Sequence, residues 1–345
     1  MRAMLLISSL LLIITTLIPL IKKDHWTFRV FDYPRFQKFF LCLITLVLWL
    51  FVGIPQNTLD IIVFSILIMS IVYLFYQIHP FTPFSSKMVQ TAKGKSHSDI
   101  SVMVINVFQY NRAYHKATEL LESESPDLFV LVETDFKWAE AMVKFKPKYP
   151  FFVEVPKDNT YGMVLYSKIP IKEKFVRYLI EDEVPSIEVL LDDQKLGQVS
   201  IFALHPTPPV PSENPRSTER DAEILVVGKK VKDLKRPVLV LGDLNDVGWS
   251  YTSELFLKVS GLLDPRRGRG MFSTFHAKYF FMRWPLDHIF VSRHFTLKKL
   301  KTHRYIGSDH FPISGHFQLN PFNDNEGLKA TIDEKMEAKE KIKKA

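Results

Sequence analysis

The sequence has almost no cysteine: Cys42 is the single one among 345 residues. A lone thiol excludes an intrachain disulfide framework and a cysteine-built metal centre. No internal repeat is present, which excludes a solenoid or array. The apolar segments near the N-terminus hold almost no polar side chains, and a channel or transporter subunit would need them along its path. Charge of one sign is also missing from most of the chain. Residues 99–320 carry 30 Lys/Arg against 28 Asp/Glu, and residues 321–345 carry 6 against 6. Residues 1–98 carry 9 against 3, so most of the net +8 flanks the apolar segments. There it can meet anionic lipid headgroups. It is not a nucleic-acid footprint on the soluble part.

What is there begins with length of apolar sequence. Residues 4–21, 39–59 and 61–86 are uncharged runs of 18, 21 and 26 residues. Runs of this size match the thickness of a bilayer when helical. No small-x-small cleavage site follows the first, and two more runs come after it, so a removed signal peptide is the poorer reading. Three transmembrane helices are expected within a membrane region of residues 1–80. Lys22, Lys23, Arg29, Arg35 and Lys38 lie in the first connecting loop, and no basic residue lies in the second, around residues 55–58. With three crossings, the first loop and the soluble part share a side, which the positive-inside rule makes cytoplasmic. Trp26, Phe28, Phe31, Tyr33 and Phe36 interleave with those charges, and such a segment can lie in the interface on either side. A multi-pass location in the cell membrane is expected; the side stays open.

Residues 81–98 read as a linker, residues 99–320 as the catalytic domain and residues 321–345 as a charged tail, a solvated helix or disordered. Within the domain, residues 100–107 and 127–132 have the β-branched apolar character of buried strands, with a helical pattern over 112–122 between them. Strand-like runs follow at 151–155, 162–166, 187–191, 199–204, 237–241, 288–291 and 313–317, with a helix over 219–234. Many strands with a few intervening helices predict an α/β domain of two sheets packed face to face and covered by helices.

Polar residues stand repeatedly at the ends of these strands: Asn106, Glu133, His205, Asp243 with Asn245, Asp287 with His288, and Asp309 with His310. Each alone has a bland reading. Asp and Asn form turns, and Glu133 suits the cap of a helix starting near Asp135. Together, ends on one edge of a sheet converge. Carboxylates with an asparagine can hold a hard ion such as Mg²⁺ or Mn²⁺. Histidines supply acid–base groups near neutral pH. A phosphoester needs that combination: a cation against its charge, a base for water, a donor for the leaving oxygen.

The order Asn106, Glu133, His205, Gly242-Asp243-Leu244-Asn245, Asp287-His288 and Ser308-Asp309-His310 resembles the endonuclease/exonuclease/phosphatase superfamily over residues 100–318. The Gly-Asp-x-Asn and Ser-Asp-His motifs are its specific parts. The resemblance implies a four-layered α/β sandwich, here preceded by three transmembrane helices as in membrane-anchored bacterial members. It implies Glu133 as principal metal ligand with Asn106 and Asp309 at the ion site. Asp243 would orient or deprotonate water, Asn245 hold a phosphate oxygen, and His310, oriented by Asp287, bond the phosphoryl group. His205 would stabilise the departing oxygen or the phosphate. A further Glu or Tyr common between the positions of Glu133 and His205 has no clear counterpart, although Tyr161 lies nearby.

The expected function is therefore a membrane-anchored, Mg²⁺- or Mn²⁺-dependent phosphoester hydrolase. Its partners are membrane lipid and a phosphoester: a lipid headgroup, a nucleotide or a nucleic acid. No obligate protein partner is inferred. A DNA or RNA nuclease of the same superfamily is the alternative, and an inactive membrane scaffold the alternative of another class. Arg266, Arg267 and Arg269 read as a solvated loop or a polyanion contact. The prolines after His205 read as a loop stiffener, and Trp249 and Phe272 as core.

Overall fold

The structure, a computed structural model, describes residues 1–52, 57–94, 98–320 and 325–345. Parts of the expected second membrane loop, of the linker and of the boundary before the tail lie outside the described residues.

The N-terminal region contains α1 (Arg2–Leu17), α2 (Trp26–Arg29), α3 (Arg35–Val52) and α4 (Thr58–Ile78). Leu5, Ile13, Cys42, Trp49 and Leu67 are buried between α1, α3 and α4. The buried Asp60 carboxylate pairs with Arg2, which keeps its charge from standing alone. Two helical stretches, Arg2–Leu20 and Thr58–Phe81, are long and apolar enough to cross a membrane. The middle one of the three expected spans reaches that length only as a bent pair, Trp26–Asp32 with Arg35–Phe51, at 68°. The bend falls at Tyr33-Pro34, and polar contacts fill it. Arg35 bonds Asp32 at 2.5 Å, and the Lys38 ammonium caps the carbonyls of Thr15 and Phe31 at 2.8 Å. The expectation of three clear spans thus reduces to two.

The following elements are β1 (Asp99–Asn106), α5 (Tyr114–Glu124), β2 (Leu128–Val132), α6 (Phe136–Met142), β3 (Phe151–Val155), β4 (Met163–Ser167), β5 (Ile171–Arg177), β6 (Ser186–Asp193), β7 (Gly197–Leu204), α7 (Thr218–Lys232), β8 (Val238–Asp243), α8 (Tyr251–Ser260), β9 (Asp287–Val291), β10 (Phe295–Thr302), β11 (Ile313–Leu319) and α9 (Ile332–Lys344). They form two mixed sheets, ordered β10-β11-β1-β2-β4-β3 and β5-β6-β7-β8-β9. The inward faces share one apolar core that includes Val102, Val104, Val130, Leu165, Ile201, Leu239 and Ile289. On the outside of the first sheet, α5 and α6 add Leu120, Leu121, Trp138 and Met142 to a second cluster. Helices α7 and α8 do the same for the other sheet with Ile224, Val227 and Phe256. The four-layered α/β sandwich is the architecture expected.

Three local signals set the elements near the site. The side chain of Asp135 accepts from Trp138 N at 2.8 Å and caps α6, which frees Glu133 from that role. Ser250 caps α8 through Ser253 N, and Gly261 ends it in the left-handed region. Strands β5 and β10 and helix α8 are elements that periodicity missed. Both strands are sheet edges: β5 is exposed along nearly its whole length, whereas β10 buries Phe295 and Leu297 in the core before a register shift between Leu297 and Lys299 breaks its pattern.

Segments expected to be free of the domain are packed on it. Val89, from the linker stretch, is buried in the central core, and Ala92 N bonds Leu297 O at 2.9 Å. The charged tail forms α9, begun by a Thr331/Glu334 capping box, and docks through Lys258–Glu334 at 2.7 Å and Lys341–Asp221 at 2.9 Å.

Helix α7 buries a titratable group away from the strand ends. Glu223 is 1% exposed, its Oε1 has no hydrogen-bond partner, and burial, reinforced by Glu181, pushes its carboxyl up to about 8. The fold thus favours the neutral acid, whereas the unfolded chain ionises near 4.5. That stability is fully present below 4.5 and is lost as pH rises through about 8, at about 1.4 kcal/mol per unit. Glu223→Gln should show a flatter fall in melting temperature across this range than the wild type. Parallel pH profiles would remove Glu223 as the cause.

Candidate active site

The strand-end residues meet because of topology. β1 and β2 run parallel, with Asn106 opposite Val132, so Asn106 and Glu133 leave the first sheet at one end. β7 and β8 are also parallel, with Leu204 opposite Gly242, which brings His205 and Asp243 to the end of the other sheet. β9 starts there, with Asp287 directly opposite Asp243. One residue joins the two sheets: Asn106 Nδ2 donates to Glu133 Oε1 at 2.8 Å and to Asp243 Oδ2 at 2.9 Å.

Backbone conformation serves this convergence. Gly242 has φ of 143°, and a Cβ there would lie 1.9 Å from Leu204 O, so only glycine fits. Glu133 and Asn245 take left-handed φ values of 59° and 50°. Such a conformation costs a non-glycine residue of order 1 kcal/mol, and it aims each side chain off its strand.

Asp243 is the hub. Its carboxylate accepts from Asn106 and from Asn245 N at 3.0 Å, and its Oδ2 lies 3.5 Å from His310 Nε2. His310 Nδ1 donates to Asp287 Oδ2 at 2.7 Å. Burial presses His310 toward neutrality, but the carboxylates of Asp287 and Asp243 outweigh it and hold the ring up at about 10. Burial also presses on Asp243, yet the neighbouring His310 and His205 keep its carboxyl below the ordinary range. Burial raises the Glu133 carboxyl, and the nearby Asp309 adds to it. Asp287 is raised as well, and its Oδ1 is buried with no hydrogen-bond partner.

The remaining expected residues fall around this hub. His205 Nδ1 lies 3.2 Å from Asp243 O, and its ring is 5.8 Å from that of Tyr161. The Tyr161 hydroxyl is engaged by Glu213. Asn245 Nδ2 donates to Pro206 O at 3.0 Å. Asp309 is only partly buried, and its carbonyl accepts from Ala277 N at 2.6 Å. Asn106, expected to present an oxygen to an ion, presents its amide nitrogen to two carboxylates. Its Oδ1 is taken by Phe108 N at 2.9 Å.

Neither reading of the arginine cluster holds for Arg266, and His288, beside Asp287 at the strand end, turns away from the site. Arg266 is 2% exposed, neither solvated nor free for a polyanion: it pairs with Asp264 at 2.7 Å and donates to His288 Nδ1 at 2.6 Å. His288 Nε2 then donates to Asp246 O at 2.8 Å, so His288 braces the loop that follows β8. Burial, then Arg266, pushes it down to about 3. Trp249 is buried, as expected, but its Nε1 donates to Asp32 O at 2.9 Å, in the loop between α1 and α3.

Sequence reasoning missed the groups that hold Asn245. Its carbonyl accepts from Arg220 Nη1 at 2.6 Å and from the Tyr33 hydroxyl at 2.9 Å. Tyr33 is 212 positions away, and no local pattern could have linked them.

The donor set suits a hard divalent cation. Asp243, Asp287 and His310 offer ligand atoms within 4.8 Å of one another, buried, and this group could hold a metal ion. The direct His310–Asp287 hydrogen bond already uses one of those nitrogens, so proximity there is explained without an ion. Glu133 is the stronger claim, because burial raises its carboxyl more than the nearby His205 and His310, the Asn106 amide and a peptide N–H at 3.3 Å relieve it.

With the geometry in place, comparison with known proteins is direct. The model of the Endonuclease/Exonuclease/phosphatase family matches residues 103–310, most of the chain, and the chain belongs to that family. Members are typically metal-dependent hydrolases of phosphoester bonds. A search of the curated proteins found no match. Among solved structures, an endonuclease/exonuclease/phosphatase from Beutenbergia cavernae is 18% identical, covering 65% of this chain and 72% of that one with a TM-score of 0.53. D. rerio TDP2 complexed with a single-strand DNA product is 17% identical over 64% and 99% of the chains, TM-score 0.53. The human Nocturnin catalytic domain with bound sulfate is 16% identical over 66% and 97%, TM-score 0.52. At these identities the likeness is one of fold.

Proposed function

We propose that this protein is a membrane-anchored, divalent-metal-dependent phosphoester hydrolase. The observation that carries the reading is the Asn106 amide, which holds Glu133 of one sheet and Asp243 of the other beside the His310–Asp287 pair. Glu133, with Asp309 bordering it, would hold Mg²⁺ or Mn²⁺. When bound, such an ion offsets phosphate charge and polarises the P–O bond. Asp243 would orient water and receive its proton. His310, kept charged by Asp287, would donate to a phosphoryl oxygen, with His205 and Asn245 contacting phosphate oxygens alongside. The apolar stretches Arg2–Leu20 and Thr58–Phe81 support anchoring in a membrane.

The test uses the full-length protein in lipid nanodiscs with bis(p-nitrophenyl) phosphate. Turnover should vanish in EDTA and return with Mg²⁺ or Mn²⁺, and Glu133→Gln should weaken Mn²⁺ binding measured by calorimetry. Turnover indifferent to EDTA would sink the reading.

A further inference from the structure

Between β9 and the preceding helix the chain makes an excursion whose tip is exposed and apolar. Residues 275 and 284 bridge in antiparallel fashion, His276 N bonds Met282 O at 2.7 Å, and Met282 N turns back to Tyr279 O at 3.1 Å. All of residues 278–283, Lys-Tyr-Phe-Phe-Met-Arg, are exposed. Phe280 is 79% and Phe281 58% exposed. Burying a phenylalanine is worth about 1.5–3 kcal/mol, so two side by side in water favour a cover.

The base of the excursion lies in the site. The Phe275 ring is 5.0 Å from that of His310, Ala277 N bonds Asp309 O, and Phe311 N bonds Thr274 O at 2.7 Å. Its flank lies on the membrane region. Gln37 Nε2 donates to Phe281 O at 3.0 Å, and Tyr33 packs edge-on against Trp284 at 5.6 Å. Gln37 sits in the first turn of α3, where Arg35 and Lys38 give way to apolar sequence and to the outward-facing Phe40, Leu41 and Ile44. With the apolar stretch of α3 in a bilayer, this turn would lie where a headgroup layer meets acyl chains. Aromatic side chains favour this depth, and Lys278 and Arg283 on either side of the tip suit anionic headgroups.

We propose that the tip of residues 278–283 inserts at headgroup level into the bilayer that holds α1 and α4, and that the site takes its phosphoester from a lipid of that bilayer. This rests on the phosphoester-hydrolase reading. In the reaction, water oxygen bonds to phosphorus and the P–O bond to one alcohol breaks. One water proton ends on that alcohol, and the hydroxyl stays on phosphorus.

The full-length protein with Cys42→Ala is labelled at Phe280→Cys with an environment-sensitive fluorophore and reconstituted into phosphatidylcholine–phosphatidylglycerol vesicles. Blue-shifted emission quenched by shallow spin-labelled lipid is expected, with no such quenching for a label at Lys174→Cys on the exposed edge strand β5. Aqueous emission at both positions overturns insertion. The Phe280→Ser/Phe281→Ser variant should release at least tenfold less water-soluble phosphorus from vesicles of phosphatidylcholine, phosphatidylglycerol, phosphatidic acid and a phosphatidylinositol phosphate. Its turnover of bis(p-nitrophenyl) phosphate should equal wild type. Equal losses on both substrates, or a wild type that cuts only the soluble ester, overturn the lipid assignment. A wild type inactive on every ester sinks the catalytic reading and the lipid assignment together, while the fluorophore still decides insertion.

Discussion

Asp243→Asn should lower kcat on a soluble phosphodiester by about a thousandfold, the middle of the range for losing a positioned general base. The variant keeps nearly the same shape. An asparagine oxygen can still accept from Asn245 N, as Asp243 Oδ1 does at 3.0 Å. What disappears is the charge that receives a proton from water and helps hold His310 protonated. The amide also sets one NH₂ against another, because Asn106 Nδ2 points at the lost carboxylate oxygen from 2.9 Å. Stability should fall as well, since the fold holds the Asp243 carboxyl below its ordinary range and the substitution removes that charge from beside His310. Circular dichroism should therefore overlay the wild type at room temperature, with a lower melting temperature, while turnover collapses. Activity within threefold of wild type would show that Asp243 is not the group that handles the proton.

Much of this site was legible because its residues are adjacent to apolar strands. A buried strand such as β8 announces itself by composition, and the first polar residues after it must turn out of the sheet at its end. That logic points to Asn106, Glu133, His205 and Asp243 after their strands, and its mirror image to Asp287 and His310 before theirs; the structure brings these side chains together. Strand-end position alone does not say which way each points. Asp287 and His288 are neighbours, yet Asp287 meets His310 in the site while His288 turns away to Arg266 and Asp246. Alternation along a strand demands opposite faces, but the sequence does not tell which face is functional. The arginines failed for a related reason: Arg266 looks solvated until Asp264 and His288 are seen to enclose it.

Segments governed by long-range contacts were read least well. The edge strand β5 lacks apolar alternation because water covers it, and in β10 a register shift between Leu297 and Lys299 breaks the pattern. The charged tail is the largely solvated helix expected, with Ala338 its one buried residue, but sequence did not show that Lys341 answers the buried Asp221. The first loop carries aromatic and basic residues that equally suit a headgroup layer. In the structure several of them pack on the α/β sandwich: Tyr33 bonds Asn245, Arg29 reaches Asp221 at 3.4 Å, and Trp26 N bonds Pro215 O at 2.8 Å. The N-terminal helical region and the loop that carries Asn245 are thus one packed unit, a relation carried by contacts roughly two hundred positions apart.

Arg220→Met should be the most destabilising single change near the site, at about 3–5 kcal/mol, the cost of leaving a buried charge without its partner. Arg220 is 1% exposed and lies 2.9 Å from Asp221 and 3.5 Å from Asp246. Asp221 would keep Arg29 at 3.4 Å and Lys341 at 2.9 Å, so it can remain ionised. Asp246 has no other cation within ion-pair distance among the described residues. Burial already raises its carboxyl, and without the guanidinium it would take up a proton. The carbonyl of Asn245 would also lose the shorter of its two donors, and the left-handed turn carrying Asp243 and Asn245 would loosen. The expected result is a large drop in melting temperature together with loss of turnover. Adding Asp246→Asn should recover part of the stability, because it removes the stranded charge, but not the turnover, because the donor to Asn245 stays absent. If the double variant is no more stable than Arg220→Met alone, the cost lies in packing rather than in the unpaired carboxylate.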